Sequence, residues 1–114
     1  MYEYKCYTIR VIDGSTIDAQ IDLGFNVLVR QRIKLYGINT PDLKGDNKDL
    51  AIAAKNRLSD LIGKEFICET VMNKRGKAGR ILGRVYQLDE DGTRIDINQK
   101  LKDEGYASDY GDHT

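Results

Sequence analysis

The chain has 114 residues, 40% hydrophobic and 32% charged, with a formal net charge of zero. That suits one soluble domain over residues 1–114 with a modest core, and it excludes a disordered chain and a globally basic nucleic-acid binder. Two cysteines and a single histidine, His113, offer no disulfide framework, zinc-ligand spacing or histidine-based triad. No apolar run approaches the ~18 residues of a membrane span. The start, Met1-Tyr2-Glu3-Tyr4-Lys5, lacks the basic and apolar regions of a secretion signal. A cytoplasmic monomer with no membrane partner is expected.

In chain order, Tyr4 to Ile12 is rich in aromatic and β-branched residues and predicts a strand. Asp13-Gly14-Ser15-Thr16 is a tight hairpin connection. Beyond it Ile17, Ala19, Ile21 and Leu23 alternate with Thr16, Asp18, Gln20 and Asp22, a second strand with one buried face. Gly24 breaks it. A third strand is expected from about Asn26 to Tyr36, with Arg30, Arg32 and Lys34 on one face and Val29, Ile33 and Leu35 on the other.

The period then changes. Ala51, Ala54, Leu58, Leu61 and Ile62 form a helical stripe, predicting a helix from about Asn47 to Ile62. Asp46 or Asn47 is placed to cap it and Gly63 to end it. Phe66 to Val71 reads as a fourth strand and Arg80 to Leu88 as a fifth. Gly83 marks a bulge or barrel corner. Asp89 to Thr93 is a turn. Asn98 is expected to cap a short last helix that stops at Gly105. Cys6 and Cys68 fall on strands, as small buried hydrophobes.

Three meandering strands, a helix and a strand pair describe an α+β, mainly β protein. The expected architecture is a five-stranded OB-fold barrel with a helix between strands 3 and 4 and a short C-terminal helix. An SH3-like barrel has no place for a 16-residue helix before its fourth strand. Charge is also uneven. From Lys74 to Arg84 there are five basic residues and no acid, whereas from Val85 to Thr114 three basic residues face eight acids. A local phosphate-facing patch is compatible with this pattern, and so is a solvated loop.

Four segments carry a resemblance. They are Val11-Ile12-Asp13-Gly14-Ser15-Thr16-Ile17, Lys34-Leu35-Tyr36-Gly37-Ile38-Asn39-Thr40-Pro41-Asp42, Gly79-Arg80-Ile81-Leu82-Gly83-Arg84-Val85-Tyr86, and the tail from Ile97-Asn98 through Leu101 to Gly105-Tyr106-Ala107. In order and spacing they resemble the motifs of the staphylococcal nuclease-like (thermonuclease) family, over about Tyr4 to Ala107. Members hydrolyse phosphodiesters of DNA and RNA with calcium, a hard cation that prefers charged oxygen ligands.

The resemblance implies a site, and this chain departs from it at most positions. Where the family has two metal aspartates, Ser15 and Asn39 stand; the carbonyl of Thr40 matches the third metal position. Asp42 replaces the glutamate that positions the attacking water, and Lys34 replaces the first phosphate-binding arginine. Arg80 matches the second. Asp13 matches a family aspartate of the turn and is read as structural. Lys34, Asp42 and Arg80 are therefore the catalytic candidates, with Ser15, Asn39 and Thr40 at the metal positions. Lys74, Arg75, Lys77, Arg84 and Tyr110 are candidate nucleic-acid contacts. Two formal charges have left the metal shell, so binding of DNA or RNA is expected to survive while calcium binding and catalysis are weak or lost. The alternatives are an active thermonuclease-type endonuclease and a protein-interaction scaffold.

Overall fold

The computed structural model describes residues 2–71 and 80–109, with Arg80 represented by its backbone. Strands β1 (Glu3–Asp13), β2 (Thr16–Asp22) and β3 (Leu28–Leu35) form an antiparallel meander. A two-residue strand, β4 (Ile38–Asn39), precedes helix α1 (Lys48–Ile62). Then come β5 (Glu65–Val71), β6 (Arg80–Leu88), β7 (Arg94–Asp96), helix α2 (Ile97–Asp103) and β8 (Ser108–Asp109). The sheet order β3-β2-β1-β5-β6-β7 closes through a parallel β3–β6 pairing, in which Arg32 stands beside Arg80 and Leu35 beside Gly83. The result is a closed five-strand mixed barrel with two helices, the OB arrangement. Among the described residues no helix is long and apolar enough to cross a membrane.

The alternation of the sequence explains the core. Ile17, Ala19, Ile21, Ile33 and Leu35 point inward from β2 and β3, against Cys6, Phe66, Cys68 and Val85 of β1, β5 and β6. Leu58 and Ile62 of α1 and Leu101 of α2 join them. Each fully buried Ile, Leu, Val or Phe among them contributes about 1.5–3 kcal/mol. Cys6 and Cys68 are free and buried. Hydrogen bonding to Cys6 and then burial push the Cys68 thiol up, so it stays protonated and inert.

Four expectations are corrected. Leu23 lies beyond the end of β2 and is exposed, because the strand yields to a turn there. Asn47 is the N-cap residue of α1 but makes no side-chain cap hydrogen bond. The cap of α2 is Asp96, whose carboxylate accepts the N–H of Gln99, and Asn98 sits inside that helix. Gly83 lies inside the unbroken pairing to β5, opposite Thr70, and ends the pairing to β3, opposite Leu35, so it is not a bulge. Its reason is close approach rather than a bulge: a Cβ there would stand 2.5 Å from Cys68 Sγ.

The β2–β3 hairpin tip is unusual. Val27 N–H donates to Gly24 O, and the central residues Phe25 and Asn26 have φ of 55° and 63°. A type I′ hairpin turn needs positive φ at both central positions, which Asn tolerates and Phe resists by roughly 1–2 kcal/mol. Phe25 is 99% exposed, so burial recovers none of that strain.

A second close approach ties the barrel to α1. A Cβ on Gly14 would lie 2.7 Å from Ala54 Cβ and 3.0 Å from Thr40 Oγ1. Gly14→Ala is expected to cost about 1–3 kcal/mol by overpacking, read as a lower urea midpoint. Ala54→Gly should recover part of that loss in a double-mutant cycle, beyond its own helix penalty. An unchanged midpoint for Gly14→Ala would remove this contact from the packing of the fold.

Candidate functional site

The chain reversals β1–β2 and β3–β4 meet at one end of the barrel. Asp13 Oδ1 accepts the N–H of Ser15 at 2.9 Å and lies 3.4 Å from its Oγ. The side chain that matches a family aspartate is thus engaged in the turn. Ser15 is buried, and its carbonyl accepts the N–H of Leu35 at 2.8 Å. That bond sets the first motif against the end of β3. Thr40 packs over Gly14, bringing the second motif to the same place.

Lys34 pairs with Thr16 across β2–β3. Its Nζ donates to Ile38 O at 3.2 Å and more weakly to Leu35 O at 3.5 Å, clasping the turn that leads into β4. Asn39 is exposed, and its carbonyl accepts from Ser108 Oγ at 3.5 Å. Asp42 is exposed on the following loop, where its Oδ1 accepts Lys44 N–H and its carbonyl accepts Gly45 N–H, both at 2.9 Å. The backbone of Arg80 runs beside Arg32 on the neighbouring strand, two residues along from the level of Lys34.

Ser15, Lys34, Asn39 and Thr40 therefore belong to one barrel end, with Asp42 on the loop that follows. Arg84 sits on β6 beside Tyr36, at the end of β3. Its guanidinium pairs with Glu69 at 3.4 Å and lies over the Tyr36 ring at 5.0 Å. Lys74, Arg75, Lys77 and Tyr110 lie outside the described residues.

A second cluster escaped the sequence reading. Asp18 alternates with the buried residues of β2 and was expected to face water, yet it is only 4% exposed. Arg32 covers it through two hydrogen bonds, Nε to Oδ1 at 2.8 Å and Nη2 to Oδ2 at 3.2 Å. Arg10 and Arg30 approach Oδ2 at 3.5 and 3.6 Å. The signal was the cross-strand register: Asp18 faces Arg32 on one side and Arg10 on the other.

The hydrogen bonds from Arg32 hold the Asp18 carboxyl below its ordinary range, and Arg57 holds Glu104 down to about 2. A depressed folded-state pKa supplies stability above the unfolded value of about 4, lost as pH falls through the folded value. The melting temperature should therefore drop from about pH 4 downward. Asp18→Asn should destabilise by about 1 kcal/mol at neutral pH, less than the roughly 1.5–3 kcal/mol of a buried charged hydrogen bond because the arginines remain partly in water. It should also flatten that acid slope. An identical slope in the variant would show that Asp18 plays no part in it.

The donors at the positions expected from the sequence to face a metal (Ser15, Asn39 and Thr40) are a hydroxyl, an amide and a backbone carbonyl, with the Asp42 carboxylate on the loop beyond. Calcium affinity rests on charged oxygens, and this set does not fit an ion of ordinary affinity. Among the described residues no three His, Cys, Asp or Glu side chains form a candidate metal cluster.

The family model described as staphylococcal nuclease homologue matches residues 32–114. The match takes in the second half of β3 with Lys34, the Asn39-Thr40-Pro41-Asp42 segment, Arg80 and α2, while the Asp13-Gly14-Ser15-Thr16 turn precedes it. No curated protein sequence matches the chain. With a match over more than half its length, on a barrel of the expected connectivity, this chain belongs to the staphylococcal nuclease homologue family.

Proposed function

We propose that the protein binds nucleic acid, DNA or RNA, and that calcium-dependent phosphodiester hydrolysis is weak or lost. The observation that carries this reading is the donor set at the barrel end. Ser15 and Asn39 stand where the resemblance expects the metal aspartates; Asp13 is engaged in its own turn, and Asp42, at the expected glutamate position, accepts the Lys44 N–H. Without a held cation, nothing clamps an attacking water between a base and a Lewis acid. Phosphate contacts need no metal. Lys34 at the site, Arg80 on the adjoining strand and the basic run from Lys74 to Arg84 supply cations for a phosphate backbone.

The test pairs two measurements on the full chain. Calcium titration by calorimetry, with and without a nucleotide bisphosphate, should give no heat of specific binding. Anisotropy of labelled DNA and RNA oligonucleotides should report binding that weakens steeply as salt rises. Robust calcium-dependent cleavage would overturn the catalytic half of this reading. Absence of oligonucleotide binding at low salt would overturn the other half.

A further inference from the structure

The barrel end opposite the candidate site carries two apolar features that the fold leaves uncovered. The first is the tip of the β2–β3 hairpin. Phe25 is held there in solvent in a left-handed conformation, with Leu23, Val27 and Leu28 exposed around it. No charged residue lies between Asp22 and Arg30. Val27 N–H donates to Gly24 O, Leu23 N–H to Val27 O and Gly24 N–H to the Asp22 carboxylate, so the backbone itself fixes the shape of this knob. The second feature is a groove of about 880 Å³ across β1, β5, β6 and the C-terminal end of α1. Tyr4, Leu61, Phe66, Ile67, Tyr86 and Leu88 are its apolar lining, with Phe66 as the buried floor and Leu88 exposed at the edge. Extending the β1–β2 register from Cys6–Ile21 by two residues puts Tyr4 level with Leu23. Knob and groove therefore lie side by side on one end of the barrel.

We infer that the protein forms a closed two-fold dimer in which the Phe25 knob of each copy fills the groove of the other, in place of the monomer expected from the sequence. A two-fold axis in the plane of contact carries knob onto groove in both directions, so each copy supplies what the other leaves open. Charge agrees: Asp22 at the base of the knob and Lys64 on the groove rim form no ion pair among the described residues, and docking brings opposite signs to the two surfaces. The area selects the closed form. Phe25 offers about 150–250 Å², and with the half-exposed Leu23, Val27 and Leu28 one knob and its groove bury on the order of 800 Å², the size of a lattice contact. Two such contacts reach roughly 1,600 Å², the size of a stable interface. A bilayer would take the knob but leave the concave groove beside it empty. The candidate nucleic-acid site sits at the far end of each barrel, so this inference is independent of that reading.

The test is sedimentation velocity of the full chain from about 1 to 500 µM. A monomer–dimer equilibrium is expected, with a dissociation constant in the micromolar range or below and no larger species. Phe25→Gly and Leu88→Glu should each raise that constant at least about thirtyfold, as loss of a central anchor does. Circular dichroism should show both variants folded; glycine relieves the left-handed strain, and Leu88 is an exposed edge residue.

Mixing the two variants separates this arrangement from others. In the mixed pair the intact knob of the Leu88→Glu chain meets the intact groove of the Phe25→Gly chain. The mixture should therefore associate more tightly than either variant alone and more weakly than the parent. A parent that stays monomeric at about 500 µM overturns the inference. So does a dimer that neither variant weakens, or a mixture no tighter than its components. Species that keep growing with concentration would mean open head-to-tail chains and would overturn the closed dimer. A monomeric parent that sediments with phosphatidylcholine–phosphatidylserine vesicles in a Phe25-dependent way would make the knob a membrane contact instead.

Discussion

Asn98→Ala should be among the most damaging single substitutions in the described part of the chain, costing about 3 kcal/mol and lowering the melting temperature by on the order of 10 °C. Asn98 is 5% exposed. Its Oδ1 accepts Val85 N–H at 3.0 Å, and its Nδ2 donates to Tyr36 O at 2.9 Å and Gly83 O at 3.2 Å. One amide thus joins α2, β6 and the turn after β3. Truncation leaves a buried N–H and a carbonyl without that partner, each worth about 1–3 kcal/mol. Gly83 O keeps a second donor, Tyr36 N–H, so its share is smaller. Against a total stability of about 5–15 kcal/mol the loss is large.

Asn98→Asp tests the geometry. A carboxylate still accepts from Val85 but cannot donate to the two carbonyls, and it places negative charge beside them. It should be at least as harmful as alanine. Calorimetric melting decides the matter, and a shift of only a degree or two for both variants would show that the bonds are replaceable. Because Tyr36 leads into Gly37-Ile38-Asn39-Thr40, oligonucleotide binding should weaken along with stability.

The second large effect is a gain. Ser15→Asp with Asn39→Asp should create calcium binding, and adding Lys34→Arg and Asp42→Glu should raise calcium-dependent turnover by several powers of ten over the unsubstituted chain. A single preorganised contact to developing charge is worth about 3–4 kcal/mol, and such contacts do not add independently. The structure sets the order of events. An aspartate at position 15 stands beside the Asp13 carboxylate, whose Oδ1 is 3.4 Å from the present hydroxyl. Without metal the double variant should be less stable than its parent; with calcium its melting temperature should rise with concentration, as linkage requires. Lys34→Arg must also release the clasp on Ile38 O, so that step should reward turnover only once the aspartates are in place. Calcium-dependent turnover of the unsubstituted chain equal to that of the fourfold variant would defeat the argument from charge.

Much of the barrel was legible in the sequence, because local physics wrote it there. The period of two in Ile17, Ala19 and Ile21 comes from one face of a strand meeting the core, and the stripe Ala51, Ala54, Leu58 and Ile62 from one face of a helix doing so. The turn chemistry of Asp13-Gly14 and the order of the four motifs were equally local. The departures at Ser15, Lys34, Asn39 and Asp42 required only the residues themselves.

What the tertiary structure alone decided lies where a residue's partner is distant in sequence. Asp96 and Asn98 are both good capping residues two positions apart, and nothing local chooses between them. The choice falls to Asp96 because the barrel end offers Asn98 three backbone partners from β6 and the turn after β3. Asp18 fits an outward polar position of an alternating strand, and only the register of β1, β2 and β3 gathers three arginines over it. The same holds for Gly83, whose missing side chain matters because Cys68 of another strand fills the space. Periodicity determined which face of each element is apolar, since that depends on neighbours within a few residues. Which polar groups meet across the barrel depends on strand register and closure, and those are set by the packing of the whole core.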